Sequence, residues 1–145
     1  MIENYKPSQA WLAGFLEISE GVSFRVRVNG HCMAPLVHDG ARVRVSSPTH
    51  YYWPGDVVVL PIDGRGMALH RVIGVYRRGG RWKYLTQGDS ATRPDTAVLS
   101  SQILGRVQSG DCSPLLIQVP FSHRLRAFIQ FLQFVIDRFL RNRYA

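Results

Sequence analysis

The chain has 145 residues, 46% hydrophobic and 19% charged, a balance that excludes disordered, collagen-like and disulfide-stapled chains and fits one folded domain. Eighteen Lys and Arg against ten Asp and Glu give a net charge of +8, so a phosphate backbone or acidic headgroups come into question as partners, and charge alone selects neither. Only Cys32 and Cys112 are present, too few for a disulfide framework or a four-thiolate zinc site.

At the start of the chain, Glu3, Glu17 and Glu20 surround a short apolar patch, Ala10 to Leu16, without the basic opening and clean apolar run of a secretory signal. No stretch approaches the ~20 uninterrupted apolar residues of a spanning helix. The expectation is a cytoplasmic protein, with peripheral attachment to a membrane left open. Ser8 to Glu20 carries Trp11, Leu12, Phe15 and Leu16 at helical spacing, with Ser8 as N-cap and Gly21 as stop.

From Val22 the period falls to two: Val22, Phe24, Val26 and Val28 alternate with Ser23, Arg25, Arg27 and Asn29, as in a half-buried strand. His31 to Val37 reads as a turn, and Ala41 to Val45 as a second alternating strand. Pro54-Gly55-Asp56 introduces the apolar run Val57 to Leu60, and Met67 to Tyr76 reads as a strand containing His70. A basic tip over Arg77 to Arg81 leads into the strand Trp82 to Leu85. The stretch from Gly88 to Asp95 is loop, and Ile103 to Val107 and Leu115 to Val119 are expected to close the sheet.

Beyond Pro120 the period becomes helical. Phe121, Leu125, Phe128, Leu132, Val135 and Phe139 follow steps of three and four, with a polar stripe of Arg126, Gln130, Gln133, Asp137 and Arg141. Five arginines against Asp137 give this segment half of the total charge. It fits either a helix packed on the β-core or on a second copy, or a basic amphipathic helix in an anionic interface. The whole is expected to be a single, mainly β domain: residues 1–21 helical, 22–119 the β-core and 120–145 a C-terminal amphipathic helix.

Two side chains carry candidate chemistry. Cys32 follows a strand through Gly30, where a turn can present a thiol to solvent and aim backbone N–H groups outward; free cysteine is equally a common core residue. His70 lies on an apolar strand, where a histidine is ordinarily a hydrogen-bonded core group. If they touch, thiol and imidazole form a nucleophile–base pair suited to acyl transfer. His31, Cys32 and His38 offer a sparse metal-ligand set without a fourth partner nearby, so no metal and no cofactor is assigned. Arg71, Arg77, Arg78, Arg81 and Lys83 beside Trp82 and Tyr84 could hold a phosphate backbone, but no nucleic-acid-binding signature accompanies them, and none is assigned.

Gly30-His31-Cys32-Met33-Ala34-Pro35, Asp39-Gly40-Ala41-Arg42-Val43-Arg44-Val45, Gly55-Asp56-Val57-Val58-Val59, His70-Arg71-Val72-Ile73-Gly74, Thr86-Gln87-Gly88-Asp89 and Ile103-Leu104-Gly105-Arg106-Val107 resemble, in order and spacing, the S24/S26 peptidases, which include type I signal peptidases and LexA-like self-cleaving repressors. The resemblance spans roughly residues 22 to 107 and implies their β-fold. It sets Cys32 where the family has its nucleophilic serine, with Met33 as the methionine that follows, and His70 where it has its general base. Asp89 matches an acidic residue that supports the site, and Asp95 is a second acidic candidate in that loop.

The resemblance thus implies an endopeptidase with a Cys32-His70 dyad and a thioester intermediate, with Asp89 orienting His70 directly or through another residue. A peptide or precursor protein would add to the strand edge near Val26, Val28 and Gly30, with Met33 and Pro35 beside it. Cysteine in place of serine leaves a second reading open, a peptide-binding module that does not cleave. A self-cleaving chain, cut at Ala13-Gly14, is a third. The C-terminal helix could support a homo-oligomer or peripheral membrane contact.

Overall fold

The computed structural model describes residues 23–28, 30–49, 51–62 and 66–144; the expected N-terminal helix over 8–20 lies outside them. Among the described residues, seven strands form an antiparallel sheet: β1 (Phe24–Arg27), β2 (Arg42–Val45), β3 (Val57–Ile62), β4 (Gly66–Arg78), β5 (Arg81–Gln87), β6 (Val98–Leu99) and β7 (Gly105–Gly110). Their order across the sheet is β1-β2-β7-β3-β4-β5-β6. The mainly β expectation is met.

Alternation in β1 and β2 sends Val26, Val43 and Val45 inward and leaves Arg25, Arg27, Arg42 and Arg44 exposed. Register sets Val26 opposite Val43, and also Arg25 opposite Arg44 and Arg27 opposite Arg42. Like charges facing each other across a ladder are unfavourable, so the buried valines hold this pairing against the repulsion on its outer face. The core splits around the sheet. One cluster joins Val26, Val28, Met33, Leu69, Leu104 and Val107, and a second joins Tyr52, Val58, Val72, Tyr84 and Ile103.

The segment expected to be a strand from Leu115 to Val119 is instead a single helical turn, α1 (Pro114–Ile117). Ser113 accepts a hydrogen bond from the Leu115 N–H at 3.3 Å, and Pro114 occupies the first turn. A serine cap followed by proline is a helix start, and here it outweighs the β-propensity of the apolar residues after it. The two-residue β6 is too short to leave a period in the sequence.

The C-terminal segment forms α2 (Phe121–Tyr144), within the span expected for the amphipathic helix. Ala127, Phe131 and Phe134 pack on Ile73 of β4 and Leu85 of β5. Gly74 lies at a register shift in β4, and a Cβ there would fall 2.1 Å from the Phe131 ring, so the glycine makes room for the helix. At the start of α2, Arg124 donates to Pro54 O at 3.0 Å and to the Asp56 carboxylate at 3.1 Å. Asp56, 3% exposed, also pairs with Arg106.

Candidate active site

The sequence after β1 must reverse direction, and Gly30, at φ +94°, starts the reversal with its N–H donating to Asp39 at 2.8 Å. Hydrogen bonds from Ala34 N to His31 O and from Leu36 N to Met33 O close the turn that carries Cys32. Met33 is buried and anchors it to the core, while Cys32 is half-buried at its crest. Among the described residues no group accepts a hydrogen bond from the Cys32 backbone N–H. The cysteine thiol donates to the backbone oxygen of Leu69 at 3.4 Å, which brings the turn against β4 one residue before His70.

His70 and Cys32 are brought together, close enough that the sulfur helps raise the pKa of the ring. The imidazole Nδ1 sits 2.5 Å from Asp95 Oδ2, so Nε2 is the nitrogen left for sulfur. Asp95 is itself fixed at two points: its N–H donates to Thr86 O at 2.8 Å, and Oδ2 accepts from the Thr86 hydroxyl at 2.9 Å. Burial opposes a charged ring and is the largest single influence on His70, but the hydrogen bonds and charges of Asp95 and Cys32 together outweigh it and raise its pKa to about 9. The raised pKa makes the ring a strong acceptor for a proton at Nε2.

Asp89 takes a different position from the one expected. Its carboxylate makes a two-pronged ion pair with Arg71, Nε to Oδ1 and Nη2 to Oδ2 both at 2.8 Å. Arg71 is adjacent to His70 on β4, and alternation points the two side chains to opposite faces. The carboxylate that reaches His70 is Asp95. The Asp89 loop instead supports the cysteine turn: Asp89 N–H meets Met33 Sδ at 3.4 Å, and Ser90 donates through N–H and hydroxyl to Cys32 O, both at 3.0 Å. Gly88 belongs to the same support, since a Cβ there would lie 2.9 Å from Cys32 O and 3.1 Å from Cys32 Cβ.

Of the expected peptide-contact residues, Val26, Val28 and Met33 have buried side chains, whereas Gly30 and Pro35 are exposed. A peptide on β1 would meet the valines through their backbone. β1 is an edge of the sheet among the described residues, and the Ala34-Pro35 peptide is cis. Cys112 bridges to Val37 across an isolated β-bridge; burial, then the charge of Asp111, push its thiol pKa up. His31 and His38 are exposed, and among the described residues no three His, Cys, Asp or Glu side chains gather as a metal site.

Sequence reasoning missed Thr86, Gly88 and Ser90 as parts of this site. Thr86 and Gly88 stand in the Thr86-Gln87-Gly88-Asp89 motif without a site role of their own, and the pairing of Val72 with Thr86 is what carries Thr86 to the His70 neighbourhood. Chemically, the assembly offers a thiol, a basic imidazole with Nε2 left for it, a carboxylate on Nδ1 and, among the described residues, an unengaged N–H at the sulfur's own residue. No protein-family model matches the chain, and no curated protein matches it.

Proposed function

We propose that the protein is an endopeptidase of the S24/S26 type that uses Cys32 as nucleophile, His70 as proton carrier and Asp95 as the group that orients His70. The observation carrying this reading is the contiguous series Cys32, His70, Asp95, Thr86, drawn from four separate stretches of chain. A cysteine and histidine that are merely core need no carboxylate fixed behind the ring; nucleophilic catalysis does.

The chemistry balances on these groups. Sulfur, its proton transferred to Nε2, attacks the scissile carbonyl, and the Cys32 N–H donates to the oxyanion. Protonated His70 gives its proton to the leaving amine as the C–N bond breaks, leaving a thioester. Neutral His70 then takes a proton from water as the water oxygen attacks, and the thioester collapses to acid while sulfur leaves. Asp95 keeps Nδ1 protonated and the ring aimed throughout. An extended peptide pairing with the β1 edge would run beside the outward Arg25 and Arg27, which favours acidic side chains at alternate positions.

The test uses a Cys112→Ala background and iodoacetamide at about pH 6–7. Cys32 is expected to be alkylated roughly tenfold faster than free cysteine, with His70→Ala removing the advantage. A peptide pool with small residues before the cut should be cleaved by this background and left intact when Cys32→Ala is added. Ordinary thiol behaviour, unchanged by His70→Ala, would leave the non-cleaving peptide-binding module as the reading.

A further inference from the structure

The helix α2 has a second apolar face that the sheet does not cover. Ala127, Phe131 and Phe134 point at β4 and β5, yet Leu125, Phe128, Leu132, Val135, Ile136 and Phe139 are each between 42% and 59% exposed. At 3.6 residues per turn these six fall within one arc of roughly 100°, along a helix about 36 Å long. Trp53, 71% exposed, and Phe121, 78% exposed, extend the face past the start of the helix, where they line an open groove of about 570 Å³ with Pro54 and Leu125. A contiguous apolar strip of this kind is uncommon on a free surface and marks a place of contact.

Charge selects the occupant. Five arginines and a single acid, Asp137, lie on α2. Arg124 is taken up by Asp56, and of the others Arg143 is the one on the apolar arc. A second copy laid on this face would still bring two positively charged helices together, whereas an anionic lipid surface answers that charge with phosphate. Ile129 and Leu140, also exposed, widen the apolar arc toward Arg126, and Arg143 lies on it near the C-terminus, stacked over Phe139 at 5.3 Å. The helix cannot cross a bilayer, because no helix among the described residues is long and apolar enough; an apolar strip bordered by arginines with an exposed tryptophan at one end suits the headgroup boundary instead. We infer that α2, together with Trp53, lies flat in the interface of an anionic membrane and holds the protein at that surface. This stands independently of the proteolytic reading, because it uses none of Cys32, His70 or Asp95.

Co-sedimentation of the full chain with vesicles tests it, comparing pure phosphatidylcholine with vesicles containing about one quarter phosphatidylglycerol at about 0.15 M salt. Binding is expected on the anionic vesicles. It should fall about 30-fold in Arg126→Gln/Arg143→Gln and at least about tenfold in Leu132→Asp, an exposed site where far-UV circular dichroism should show the fold intact. Tryptophan emission should shift to the blue on anionic vesicles, and Trp53→Phe should remove most of that shift. Absence of binding to anionic vesicles, or binding that Leu132→Asp leaves unchanged, overturns the inference. So does sedimentation equilibrium showing a dimer that Leu132→Asp dissociates while vesicles bind neither form; the face would then belong to a second copy. Iodoacetamide labelling of Cys32 in the same samples reads the dyad separately, so failure of one proposal is distinguishable from failure of the other.

Discussion

Two carboxylates leave the same loop and reach neighbouring residues of β4, with different results. Asp89 grips Arg71, which is 5% exposed and also donates to Gly55 O at 2.8 Å. Asp95 grips His70 beside a half-buried sulfur and is itself about one third exposed. In the first pair each guanidinium nitrogen meets an acceptor and charge cannot move, so the pair serves as a clamp. In the second, a titratable ring stands between an acid and a thiol, so a proton can. One step along a strand separates a structural ion pair from a chemical one.

The strongest way to break this contrast is Arg71→Ala. Removing one member of a buried ion pair strands the other, at a cost of about 3–5 kcal/mol, read from urea unfolding. The His70 titration, followed by ring-proton NMR, should stay near 9. A displaced His70 midpoint would show that the two pairs are one network.

Next in size is Asp95→Asn, which removes a charge-assisted hydrogen bond at about 1.5–3 kcal/mol and should pull the His70 midpoint well below 9. The sign of the pH dependence follows. The folded pKa of about 9 lies above the ordinary 6.5, so protonated His70 stabilises the fold fully below about 6.5, and this contribution disappears as pH rises through about 9. Unfolding measured across that window should show the loss in the parent protein and a smaller one in Asp95→Asn. An identical slope in both would remove Asp95 as the partner.

Gly88→Ala sharpens the contrast from the clamp side. Its Cβ would press on the Cys32 backbone, costing about 1–3 kcal/mol as an overpacking change and slowing Cys32 alkylation while the His70 midpoint holds. The smallest effect belongs to Thr86→Val, which deletes one neutral donor to Asp95 for about 0.5–1.5 kcal/mol. It should lower thermal stability slightly and broaden the His70 titration little.

Much of this was legible in the residues themselves. Period-two patterns located β1, β2 and β4, the helical period located α2, and Gly30, Cys32 and His70 drew attention as chemistry without coordinates. Leu115 to Val119 misled because apolar content alone does not separate a strand from a helical turn, and the Ser113-Pro114 start was the signal to weigh. Asp89 and Asp95 were both visible as acids, but which one faced the histidine was not, since a loop's path over the sheet is fixed by distant packing such as Met33 beneath Asp89 and Gly88 against Cys32.

Local pattern alone sets which faces are apolar, where the chain turns, and that a sulfur and an imidazole occur in strand-and-turn settings, because periodicity and turn chemistry are local properties. It took long-range packing to give Asp95 to His70 and Asp89 to Arg71, and to lay α2 on the sheet with one apolar face while leaving another outward. Those outcomes depend on which side of a strand each residue occupies and on contacts between residues far apart in the chain, and no local pattern encodes them.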